Sequence, residues 1–158
     1  MTTDFNLLAR KIIEKNQYMT LGTNGWVSPV CYVFDAKFNL YWASPPNARH
    51  SQNIAKNPAI SVAIFDSRQD VGTGVGLQIE GMAKKVTLAE FPEVLKTYFG
   101  HKWPYGNLAK TFLDHFKQLL QNKAYSFYKF TPQKVWLNDP NSEVDRRIEI
   151  PLDEIINR

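Results

Sequence analysis

The chain has 158 residues, 44% of them hydrophobic and 22% charged, with a single cysteine and a formal net charge of +4. That length is expected to fold as one domain over residues 1–158 without a disulfide or structural metal, and the balance of apolar and charged residues excludes a disordered chain. The positive charge is scattered: Arg10-Lys11, Lys84-Lys85 and Arg146-Arg147 sit among acids, with no recognition-helix or zinc-finger spacing, so nucleic acid is not an expected partner.

Asp4 begins an amphipathic helix over residues 4–16, in which Phe5, Leu8, Ile12 and Ile13 share one face. Two β-prone runs follow, Tyr18 to Thr23 and Trp26 to Phe34. Asn24-Gly25 divides them, a pair that tolerates positive φ and marks a type I′ hairpin. Pro29 has no N–H for a ladder, which places its strand at an edge or an irregularity. Cys31 lies in the same run and has no partner for an internal disulfide, which fits a reducing compartment. A turn over Asp35 to Asn39 leads into the strand Leu40 to Ser44, completing an antiparallel meander. A short helix then spans residues 48–56 until Asn57-Pro58 stops it.

Ala59 to Phe65 reads as a buried strand. After a polar, glycine-rich loop from Asp66 to Gly74, Val75 to Val86 forms another, in which Gly81 predicts a bulge or sharp bend. Leu88 to Tyr98 and Leu108 to Leu120 have helical patterns and enclose an aromatic loop, Phe99 to Gly106. Strands Ala124 to Phe130 and Lys134 to Leu137 flank a turn at Thr131-Pro132-Gln133, and Pro151 to Asn157 forms a last helical turn. About six or seven mostly consecutive strands with helices between them predict an α+β fold whose antiparallel sheet curls into a barrel. The N-terminus lacks a signal-peptide pattern and no run approaches the ~18 apolar residues of a membrane span, so the expectation is a cytoplasmic protein with no membrane partner.

The stretch most suited to chemistry runs from Tyr41-Trp42-Ala43-Ser44 through Pro45-Pro46 into Arg49-His50, where a strand turns a corner into a helix start. The first amides of a helix are unpaired and carry partial positive charge, so an anion placed there gains hydrogen bonds and dipole attraction together. Arg49 adds a planar fork matched to phosphate oxygens and His50 a further donor, although the same two residues also suit an ordinary solvated helix start. Other motifs lead nowhere. Gly72-Thr73-Gly74-Val75-Gly76 feeds a strand instead of opening a helix, which excludes a dinucleotide fingerprint, and there is no nucleophile elbow or Walker loop. His50, His101 and His115 lack the local spacing of a metal site, and Glu90, Glu93 and Asp114 belong to helix surfaces and form no acid and base pair.

Taken in order, the first helix, the strand to Thr23, Asn24-Gly25, Ser28-Pro29-Val30, Trp42-Ala43-Ser44, Arg49-His50, Asn57-Pro58-Ala59-Ile60-Ser61-Val62 and Gln78-Ile79-Glu80-Gly81-Met82-Ala83-Lys84 form a recognisable set. It resembles the pyridoxamine 5'-phosphate oxidase-like family of FMN-binding split barrels, best over residues 5–87, with Phe127 to Trp136 similar to that family's last strands. The resemblance implies a six-stranded antiparallel split β-barrel with flanking helices, and a homodimer with FMN at the subunit groove. It further implies that Arg49, His50 and Ser44 hold the phosphate, while Ser28, Pro29, Val30 and Ala43 seat the flavin ring. The family often carries lysine at the place of His50. Its vitamin oxidases have a histidine near the C-terminus that Asp145-Arg146-Arg147-Ile148-Glu149-Ile150 lacks, so vitamin oxidation is not implied.

The leading expectation is an FMN-dependent oxidoreductase acting on a small organic substrate, with Trp103, Tyr105 and Trp136 as candidates for the substrate side or for core and interface packing. The alternatives are a flavin or haem binder without turnover, with His101 or His115 as axial ligand, and a deazaflavin-dependent reductase on the same scaffold.

Overall fold

The computed structural model describes residues 3–100, 114, 117–118 and 121–156. The chain opens with α1 (Phe5–Lys15), whose first turn is capped by Asp4 accepting from the Leu7 amide at 3.0 Å. Next come β1 (Tyr18–Thr23), β2 (Trp26–Cys31), β3 (Val33–Phe34) and β4 (Leu40–Ser44), then α2 (Arg49–Lys56). After β5 (Ala59–Phe65) and β6 (Gly76–Lys85) come α3 (Phe91–Gly100), β7 (Ser126–Asn138), β8 (Arg147–Ile150) and α4 (Leu152–Ile156). The expected helix at 108–120 and loop at 99–106 fall largely outside the described residues.

All strands belong to one antiparallel sheet in the order β2-β1-β5-β6-β7-β4-β3, with β8 added on β7. The two ends of that path are β2 and β3, which Tyr32 alone joins in the chain. A sheet whose opposite edges are linked by one residue has to curl until those edges approach, so the sheet forms a barrel left unpaired along one seam. The eight segments differ from the expected six for two reasons. The run Trp26 to Phe34 is one bent strand that leaves β1 at Cys31 and joins β4 at Val33, and β8 is an addition. The bend is anchored at Tyr32, whose hydroxyl donates to the Ile13 carbonyl of α1 at 2.6 Å.

The hairpin at Asn24-Gly25 forms as expected, with both residues at positive φ, 44° and 71°. Gly81 forms a β-bulge, also as expected: Glu80 pairs with Lys134 but Gly81 pairs with Pro132, which leaves Gln133 as the extra residue on β7. The expected turn at Thr131-Pro132-Gln133 is therefore continuous strand. Turn-prone residues are carried in the ladder because the bulge accommodates the proline and absorbs the irregularity. α3 begins later than the pattern at Leu88 predicts, because Thr87 folds back and donates through its amide and hydroxyl to Glu90.

Alternate residues of each strand fill the barrel: Met19 and Leu21, Val62 and Ile64, Leu77 and Ile79, Trp42, Phe130 and Leu137 form one cluster with α1 and α4. Trp42 stacks on Tyr128 at 5.5 Å between centroids. A second, smaller cluster lies on the opposite side of β4 under α3, where Tyr41 and Val33 meet Val94, Tyr98 and Phe127.

Candidate functional site

Topology places a slot between β2 and β4. The β3–β4 ladder stops at Val33 opposite Tyr41, and upstream of Tyr32 the chain turns its pairing to β1. No ladder joins β2 to β4. The neighbouring edges of Ser28-Pro29-Val30 and Trp42-Ala43-Ser44 are therefore not paired with each other, and this break in pairing is the slot. One lip presents Ser28 and Val30 to the interior, with Pro29 turned outward and exposed; the other presents Ser44 to the interior, with Ala43 turned toward the cluster under α3. The flavin-seating residues expected from the sequence thus flank one gap, but their side chains do not share one face.

The β4 strand delivers the chain through Pro45-Pro46 to α2. Its N-cap residue is Ala48, so no side chain caps the helix, and its first turn contains no acid. The sequence leaves this helix start open to an outside acceptor. His50 reaches back to the strand it came from, Nε2 lying 2.8 Å from the buried Ser44 hydroxyl. Burial pushes the imidazole below its ordinary pKa, so it is neutral at pH 7.

Arg49 lies on the other side of the helix and extends over the β1–β2 hairpin. Its guanidinium carbon sits 4.3 Å above the Trp26 ring, and the Trp26 indole N–H donates to the Ser28 hydroxyl at 2.9 Å. Asn53, one turn on, donates to the Thr23 carbonyl at 3.0 Å and hydroxyl at 3.2 Å, which fixes α2 to the hairpin. Trp26 is the residue that sequence reading misses. It ties Arg49 to Ser28, and its only sequence signal is an aromatic side chain immediately after a tight turn.

The remaining groups do not support acid, base or nucleophile chemistry. Burial raises the Cys31 thiol to about 11, which leaves it protonated and unreactive at neutral pH. Glu90 is held down to about 2 by hydrogen bonds from Lys84 and Thr87, so it cannot shuttle a proton near pH 7. Glu93 is exposed on α3 and Asp114 is exposed too. Among the described residues no group of His, Cys, Asp and Glu could hold a metal ion. Trp136 lies half-buried on the outer side of β7 with Lys134 Nζ 5.9 Å from its ring centroid, while Trp103, Tyr105, His101 and His115 fall outside the described residues.

Among solved structures, a protein related to general stress protein 26 of B. subtilis (pyridoxinephosphate oxidase family), from Clostridium acetobutylicum, is similar. The TM-score is 0.66 at 16% identity, over 98% of this chain and 99% of that one. The heme binding protein from Mycobacterium smegmatis gives a TM-score of 0.74 at 17% identity, covering 99% of this chain and 62% of that one. A FAD-binding protein from Mesorhizobium loti gives 0.57 at 19% identity over 83% of this chain and 90% of that one. Identities this low establish likeness of fold. No match was found among curated proteins. Residues 8–139 match the family model described as pyridoxamine 5'-phosphate oxidase, and the chain belongs to the pyridoxamine 5'-phosphate oxidase family.

Proposed function

We propose that this chain is a cytoplasmic FMN-dependent oxidoreductase, one flavin-binding unit over residues 1–158 that works as a homodimer on a small organic substrate. The observation that carries the reading is the slot between β2 and β4 ending at the uncapped, acid-free start of α2, where Arg49 and His50 stand. The phosphate is held by the first amides of α2, the Arg49 fork, His50 and the Ser44 hydroxyl. The ring lies along the edge of Ser28, Pro29 and Val30 with Ala43 opposite, where main-chain groups meet its polar edge. Bound flavin supplies hydride and electron transfer; the residues named here grip and orient it. The apolar residues Tyr18, Val27 and Phe65, exposed on the outward side of β1, β2 and β5, support a second copy as the cover of this face. Among the described residues no helix is long and apolar enough to cross a membrane.

The absorbance spectrum of freshly purified protein tests the reading. Bands in the near ultraviolet and blue, followed by bleaching with a nicotinamide donor under anaerobic conditions, are expected. Haem binding is the second reading, favoured by the likeness to the Mycobacterium protein, and its sharp single band in place of the flavin bands would displace the first. A protein that takes up only a deazaflavin would correct the cofactor and keep the slot.

Two further expectations concern the grip. Because free His50 is neutral and a phosphate favours its charged form, binding takes up a proton. FMN affinity should therefore fall as pH rises above the lowered pKa of the free imidazole, by at most about tenfold per unit, and His50→Lys should level that profile. A pH-independent native affinity would remove His50 from the phosphate. Trp26→Ala frees the Arg49 guanidinium and should cost about 0.5–1 kcal/mol of FMN affinity in a fluorescence titration. Trp26→Phe should recover most of it, since the ring face is retained.

A further inference from the structure

Helix α2 divides two environments. At about 100° per residue, Arg49 and Asn53 fall on the flank above the β1–β2 hairpin, while Ser51 and Ala55 fall on the opposite flank, toward the ends of β6 and β7. Beside that second flank is a cavity of about 430 Å3 walled by Ala55, Pro58, Ala83 and the Tyr128 ring. Its volume falls in the range of roughly 300–1,000 Å3 found for small-ligand pockets. None of its walls belongs to the slot between β2 and β4.

Four polar residues, Ser51, Gln52, Lys84 and Lys85, interrupt the apolar lining. Ser51 is 3% exposed and stands on the cavity wall, and its hydroxyl has no hydrogen-bond partner, not even a carbonyl of the preceding turn. A buried hydroxyl is normally paired, so an orphan on a residue of the cavity wall points to an acceptor or donor supplied from outside the chain. At the mouth, Lys84 is held by Glu90 at 2.8 Å, whereas the exposed Lys85 enters no ion pair among the described residues.

We propose that this cavity binds a small monocarboxylate with an apolar body, such as an aromatic acid. The body packs on Ala55, Pro58, Ala83 and Tyr128; the carboxylate turns to Lys85 and accepts from the Ser51 hydroxyl. One unpaired ammonium matches a monoanion, while a phosphate dianion would leave charge uncompensated and most of the wall empty. The site does not depend on the flavin reading, because Arg49 and His50 take no part in it.

The test titrates the full-length, 15N-labelled protein with sodium benzoate and follows amide shifts, with benzyl alcohol and inorganic phosphate as comparison probes. Saturable shifts centred on Ser51, Ala55 and Ala83 are expected. Binding should weaken by about tenfold in Lys85→Gln and for benzyl alcohol. It should weaken in Ala55→Trp, where an exposed helix position on the cavity wall takes a bulky side chain. Added FMN should leave the benzoate shifts in place. The proposal is overturned if no saturable shift occurs at those amides, if Lys85→Gln binds as the native chain does, if benzyl alcohol or phosphate matches benzoate, or if FMN displaces it.

Discussion

Arg49→Ala should raise the dissociation constant for FMN by about ten- to 150-fold, the equivalent of ~1.5–3 kcal/mol for a charge-assisted hydrogen bond to an anion. The guanidinium is already positioned in the free protein, 4.3 Å above the Trp26 ring, so little ordering is required when a phosphate arrives. Arg49 is exposed, and its loss from the free protein removes one cation–π contact worth about 0.5–1 kcal/mol, so the melting temperature without cofactor should change little. Arg49→Lys should fall between the two, since lysine keeps the charge and loses the fork. Fluorescence titration with FMN and a thermal melt of the free protein separate the effects. Native affinity in Arg49→Ala would mean that the phosphate sits elsewhere.

Gly81→Val should destabilise the sheet by about 3 kcal/mol, read as a drop of roughly 6–12 °C in melting temperature for a domain of this size. A Cβ at Gly81 would lie 2.3 Å from the Thr131 carbonyl oxygen and 2.8 Å from Cζ of Phe130. The first obstacle is backbone and the second a fully buried ring, so neither can step aside without opening the bulge that lets β6 and β7 stay paired. Gly72→Ala makes a useful contrast: φ is +86°, but nothing lies within 4 Å, so its cost is confined to backbone strain of about 1 kcal/mol. A Gly81→Val protein that melts with the native chain would show that the bulge relaxes freely.

The elements legible in the sequence were those whose signals are local. Asn24-Gly25 fixes its hairpin by turn chemistry alone, Asp4 caps its own helix, and Asn57-Pro58 ends α2 where expected. The errors arose where a distant partner decides. Arg147–Ile150 alternates charged and isoleucine side chains over only four residues, too short a run to mark a strand by itself, and it is extended because it pairs with Val135 to Asn138. Thr131-Pro132-Gln133 has turn composition, yet β6 holds it in the ladder. The break at Tyr32 depends on a hydrogen bond to α1, which no periodicity records. The site divides in the same way. Ser44 and His50 are close in sequence and meet in space, whereas the link from Ser28 through Trp26 to Arg49 crosses from hairpin to helix and becomes visible only once both are folded.

Pro29 has a second significance beyond the slot. It sits mid-strand in β2, at one end of the sheet path and opposite Thr20, where an open strand could recruit extended segments from other molecules. An imino acid in that row cannot donate a hydrogen to an incoming chain, so stacking of further strands is interrupted there. The same lip that is left open for a ligand is thereby closed to fibril growth.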